Sequence, residues 1–141
     1  MNLSNEIKIT KVAAAAGAAT DTVTGSEVDM ANYDGVVFFT TVHVANAGNY
    51  IKAQQDTVTG MGTAADLEGS KVVCAHADDI LWLDIYKPEE RFVRCLVVRT
   101  SSSASSEVFA LQYKGSKLPE DNVVSNLITG TFLLSPAEGT A

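Results

Sequence analysis

Leu81-Trp82-Leu83-Asp84-Ile85-Tyr86, then Lys87-Pro88-Glu89-Glu90, then Arg91-Phe92-Val93-Arg94-Cys95-Leu96-Val97-Val98-Arg99-Thr100, places two aromatic and β-branched runs around a short polar turn. Branching at Cβ and aromatic rings are accommodated on a pleated surface, so both runs read as strands. The turn between them predicts a β-hairpin. With residues 87–90 as the loop, Ile85 faces Phe92 and Leu81 faces Leu96, while on the other side Trp82 faces Cys95 and Ile80 faces Val97. Both faces of that hairpin are apolar, so both need cover.

Outward from this centre the chain repeats the pattern. Residues 7–12 alternate as a short strand, the alanine-rich run to residue 19 reads as loop, and residues 26–30 form a weak strand ended by the Asp34-Gly35 turn. Residues 36–45 and 50–57 read as a second hairpin, residues 71–76 as a strand, residues 101–106 as a flexible polar tip, and residues 107–113 as the last strand. About eight short strands at roughly ten-residue intervals, with no long helical period between them, predict an all-β, jelly-roll-like antiparallel sandwich. The expected organisation is an N-terminal strand and Ala-rich arm over residues 1–20, a sandwich core over 21–118 and a C-terminal arm over 119–141. Asp21-Thr22-Val23-Thr24-Gly25 recurs as residues 56–60, but the flanks differ, which argues against a structural repeat.

Composition narrows the function. Ten Lys and Arg against seventeen Asp and Glu give a net charge of −7, with no concentrated basic patch, which argues against nucleic-acid binding. No stretch reaches the ~18 apolar residues of a membrane span. The run after Lys8 and Lys11 is too short and too alanine-rich for an export signal, so synthesis in cytoplasm is expected. Cys74 and Cys95 sit in apolar runs and are expected as reduced, buried thiols. His43 and His76 have no metal-ligand spacing, and no cofactor or metal is expected.

No catalytic motif is legible. Asp78, Asp79 and Asp84 lack a cation-loop pattern and read as a solvated turn. The serines at 101–106 have no neighbouring histidine and no nucleophile-elbow glycines, so no enzyme is expected. In the hairpin register Asp84 and Arg91 are placed for a diagonal ion pair, and Arg94 needs an acidic partner or a path to the surface. After Tyr113 the linker-like Lys114-Gly115-Ser116-Lys117-Leu118-Pro119 precedes Val123, Val124, Leu127, Ile128, Phe132, Leu133 and Leu134. An apolar-spotted arm beyond a finished domain packs on something, so these seven are the candidate partner contacts.

The run 84–94, with Val28-Asp29-Met30, Tyr33-Asp34-Gly35-Val36-Val37-Phe38, Ala110-Leu111-Gln112-Tyr113 and Pro119, resembles the capsid cement, or decoration, proteins of short-tailed double-stranded DNA phages, over about residues 20–120. The resemblance lies in strands and turns. It implies a jelly-roll-like sandwich on the exterior of an icosahedral head, often a symmetric oligomer, bridging subunits of the major capsid protein. A homodimer is expected because one sandwich interior covers only one of the two apolar faces. The alternatives are a head–tail junction or tail-associated virion protein, and a carbohydrate-binding β-sandwich, whose discriminator would be an exposed aromatic platform.

Overall fold

The computed structural model describes residues 2–119, 122, 127–131, 133–135, 137 and 138. A single helical turn, α1 (Leu3–Glu6), precedes twelve strands: β1 (Ile7–Ala13), β2 (Ala16–Ala19), β3 (Thr22–Thr24), β4 (Val28–Asp29), β5 (Gly35–Val42), β6 (Asn46–Asp56), β7 (Ala65–Asp66), β8 (Val72–Cys74), β9 (Asp79–Tyr86), β10 (Phe92–Arg99), β11 (Ser103–Ser105) and β12 (Val108–Tyr113).

Several of these lie end to end along one neighbour. β1 and β2 run along β12 and β11, β3 and β4 along β10, and β7 and β8 along β6. The twelve strands are therefore eight ribbons in two antiparallel layers. Numbered along the chain, the ribbons lie in the order 1-8-3-6 in the first sheet and 2-7-4-5 in the second. That order, with the chain crossing between layers at nearly every step, is a jelly roll.

Alternation along each strand builds the core between the layers. Val36, Phe38 and Val42 of β5, Leu81 of β9, and Val108 and Ala110 of β12 face Ile51 of β6 and Val93, Cys95 and Val97 of β10. All ten are buried.

Two expected hairpins are not formed. β9 pairs along its whole length with β5, Tyr86 opposite Gly35 and Asp79 opposite Val42, whereas β10 pairs with β6 in the other layer. None of the pairs Ile85/Phe92, Leu81/Leu96, Trp82/Cys95 or Ile80/Val97 exists. The expected hairpin of residues 36–45 and 50–57 fails in the same way, β5 and β6 lying in opposite sheets. The physical reason is burial: in separate layers, the inward rows of β9 and β10 share one interior instead of needing two covers. Lys87, at φ 51°, starts the crossing turn and donates its N–H to the Asp34 carbonyl at 2.6 Å.

The alanine-rich run expected as loop contains β2, so residues 7–19 are part of the first sheet. The serine run expected as a flexible tip contains β11, with Ser103 and Ser105 buried. Cys74 and Cys95 are free and buried.

Candidate interaction surface

Facing residues in an antiparallel ladder point to the same side of the sheet. The outer face of the first sheet therefore has Trp82, Phe39, Phe109 and Lys11 in one row and Asp84, Val37, Leu111 and Ile9 in the next. Phe39 and Phe109 stack with ring centroids 5.4 Å apart. At the β9 border the apolar side chains stand in solvent: Ile80 is 69% exposed, Trp82 63% and Tyr86 53%. Lys87 and Lys114 place ammonium groups over the Tyr86 ring at 5.4 and 5.2 Å. Scattered exposed apolar residues need no explanation, but three along one strand next to half-buried aromatics form a patch.

One polar group on this face is fixed. The Tyr113 ring crosses above Gly35, where a Cβ would come within 2.2 Å of it, and the phenol donates to Asp84 Oδ1 at 2.7 Å. Burial, then the bond to Asp84, raises the Tyr113 pKa. Asp84 thus serves Tyr113, and the expected Asp84–Arg91 pair is absent. Arg91 instead grips Asp29 of β4 through Nε (2.9 Å) and Nη2 (2.7 Å), which holds the Asp29 carboxyl at about 2. The register explains the difference: β4 lies against β10, with Asp29 opposite Phe92. Arg94 finds a neutral partner, with Nε and Nη2 both on Gln54 Oε1 at 2.9 and 2.7 Å.

The C-terminal segment meets the opposite edge of the same sheet. The Asn122 side chain accepts the Ile9 N–H at 2.8 Å through Oδ1 and donates through Nδ2 to the carbonyls of Ile7 (2.8 Å) and Ser4 (2.9 Å), so one amide group bridges the outer side of β1 and the helical turn before it. Of the seven candidate contacts, Leu127, Leu133 and Leu134 are exposed and Ile128 is half-buried. Val123, Val124 and Phe132 lie outside the described residues.

The fold also assembles a cluster that sequence separation concealed. His43 Nδ1 lies 2.6 Å from Asp78 Oδ1 and its Nε2 3.4 Å from Ser106 Oγ, across 35 and 63 residues of sequence. The serine run, expected to have no neighbouring histidine, thus has His43 beside Ser106 in space. The connectivity is that of a nucleophilic triad. Its setting is not: the Asp78 side chain is 71% exposed, and the Ser106 N–H, a possible oxyanion donor, is bonded to the Thr41 carbonyl at 2.9 Å. The cluster ties together the β5–β6 link, the β8–β9 turn and the β11–β12 junction. Among the described residues no group of three or more His, Cys, Asp or Glu side chains is placed to hold a metal ion.

No protein-family model and no curated protein sequence matches the chain. The crystal structure of the SPBc2 prophage-derived protein YomS is similar over 75% of this chain and 93% of its own, at 13% identity and a TM-score of 0.46. The structure of infectious bursal disease virus, Gx strain, is similar over 80% of this chain, at 13% identity and a TM-score of 0.45; this chain spans only 34% of that one. Likeness at this level carries no argument, and the jelly-roll assignment stands on the strand order.

Proposed function

We propose that this chain is a structural protein of a virus particle: a cement subunit, made in host cytoplasm, that binds the exterior of a phage head and bridges major capsid protein subunits without catalysing a reaction. The observation that carries the reading is apolar surface displayed outside a completed core, with Leu127, Leu133 and Leu134 in solvent on a segment tethered to β1 through Asn122. Support comes also from the strand-and-turn resemblance to phage cement proteins and from an acidic surface poorly suited to nucleic acid. The jelly roll is compatible with this role but does not select it, since capsid and lectin domains share the architecture.

The test is deletion of residues 123–141, followed by binding to purified heads that lack the protein. A folded, soluble sandwich that no longer decorates heads is expected. Decoration at wild-type occupancy would move the docking surface onto the sandwich, and no binding of the full chain to any head would reject the cement role.

The exposed Trp82 and Tyr86, on one face of β9, favour carbohydrate binding as a second reading, because aromatic faces stack on sugar rings. Titration with oligosaccharides, followed by the fluorescence of the single tryptophan, distinguishes it.

A further inference from the structure

We infer that β9 is a self-association edge: two copies pair their β9 strands antiparallel about a two-fold axis and join their first sheets into one. The inference concerns the free protein and stands whether or not the chain decorates a phage head.

The backbone comes first. A strand in an antiparallel ladder directs alternate N–H and C=O groups to its two sides. β9 uses one side, bonding to β5 over all eight residues, and among the described residues no strand pairs with the other. Two clefts run beside it in place of a cover, one of ≈ 580 Å³ bordered by Gln55, Asp66 and Tyr86, the other of ≈ 520 Å³ bordered by Val72, Val73 and Trp82. At the opposite border the Asn122 side chain bonds to Ile7 and Ile9 of β1.

A monomer protects such an edge with lysine, proline or a bulge. β9 has none of these within residues 79–86, and its ladder with β5 is unbroken. Its two charges are already engaged: Asp79 Oδ2 accepts the N–H groups of Ala75 (3.1 Å) and His76 (2.9 Å), and Asp84 accepts the Tyr113 hydroxyl.

The side chains fit a second copy better than another occupant. A two-fold centred on Asp84 would oppose two carboxylates. Centred on Leu83, it sets Ile80 against Tyr86 of the second copy and brings the Trp82 indole N–H, a donor without acceptor capacity, opposite the Asp84 carboxylate of that copy. Each contact then occurs twice by symmetry. At ~150–250 Å² for a fully buried aromatic side chain, the exposed parts of Ile80, Trp82 and Tyr86 give on the order of 350 Å² per copy, nearly half the ~800 Å² per partner of a standard interface. The β9 backbone and the lips of the two clefts supply the remainder, and Trp and Tyr are the residue types that dominate interface energies.

The experiment is sedimentation equilibrium of the full chain from nanomolar to micromolar concentration, with tryptophan emission recorded over the same range. The expected result is a mass twice the 14.9 kDa of one chain at micromolar concentration, and a red shift of the Trp82 emission on dilution as the dimer parts. Ile80→Lys and Trp82→Glu alter exposed side chains and should weaken the dimer at least about tenfold, with circular dichroism unchanged. The red shift needs no variant, so a misfolded substitution does not block the test. A monomer throughout the range overturns the inference, as does a dimer unaffected by both substitutions. So does a monomer whose Trp82 emission responds to oligosaccharide, which would give the strip to a sugar.

Discussion

Arg99 should be the most sensitive polar residue of the fold. It ends β10 in the second sheet, and its side chain is 1% exposed. Nη1 donates to the carbonyls of Gly17 in β2 and Ser103 in β11, both at 2.6 Å and both in the first sheet, while Nη2 meets the Asp21 carboxylate and Nε has no partner. The guanidinium is thus a polar rivet between the layers, alongside Gln112 of β12, whose Nε2 donates to the Asp29 carbonyl of β4 at 2.8 Å. Arg99→Met keeps most of the length and apolar stem but leaves two carbonyls without donors. At ~1–3 kcal/mol for each unsatisfied group, the expected loss is ~2–5 kcal/mol, reduced somewhat because a buried charge no longer has to be desolvated. Against a typical total of ~5–15 kcal/mol this is severe, and it should lower Tm by ~2–4 °C per kcal/mol for a chain of this size. Arg99→Lys keeps the charge without the planar fork and should fall between. Asp21→Asn keeps an acceptor oxygen but takes away the charge opposite a guanidinium that is 1% exposed, so it should cost more than loss of a surface ion pair and less than Arg99→Met. Urea denaturation with a constant m-value reads all three. An Arg99→Met protein within ~1 kcal/mol of wild type would refute the rivet.

Two further outcomes follow from titrating groups. Asp29 ionises at about 2 in the fold rather than at its ordinary 3.8, chiefly through its bond to Arg91, so its contribution is complete above the ordinary value and is lost as pH falls through 2. The deficit of Arg91→Ala, small because both side chains are largely exposed, should therefore be present at neutral pH and absent below pH ~2 in denaturation curves. Burial pushes the Cys95 thiol up to about 12 and raises that of Cys74, so an aromatic disulfide reagent should find no fast-reacting thiol in the native protein and two in urea; a fast native reaction would contradict their burial.

The strands were legible because their signals are local. β1, β5, β6, β9, β10 and β12 fall where alternating apolar, aromatic and β-branched residues put them. The pairing was not legible, because a strand does not encode which neighbour it takes. The run from Leu81 to Thr100 was apolar on both sides, and a four-residue polar turn can close a hairpin or carry the chain across a sandwich. Two layers satisfy both runs with one core, and that constraint belongs to the whole chain. β11 was missed because Ser103 and Ser105 carry no apolar signal; the Ser103 Oγ that accepts the Val44 N–H makes it a polar core position. The two Asp-Thr-Val-Thr-Gly segments illustrate the same limit: Asp21 binds Arg99, whereas Asp56 is buried and accepts the N–H groups of Val58 and Thr63. Identical words take different parts. At the interaction surface, the apolar excess of residues 80–86 was visible, but which half of it faces outward depended on the pairing.

The two borders of the first sheet bear on how a small protein could bridge a shell. The C-terminal segment meets the β1 border through the Asn122 side chain, and at the other border the outer side of β9 pairs with no strand among the described residues. A pair joined through β9 would place its two C-terminal segments at opposite ends of one continuous sheet, pointing to different neighbours rather than competing for one. Each segment shows only a few exposed leucines, enough for a weak contact once the cost of ordering the chain is subtracted. Linked in pairs, the second contact becomes intramolecular, and avidity can exceed the single affinity by ~10²–10⁴ without any new contact. Bridging and tight binding would then share one cause, the two-fold pairing of β9. A subunit held as a monomer would lose both together even with its C-terminal segment intact.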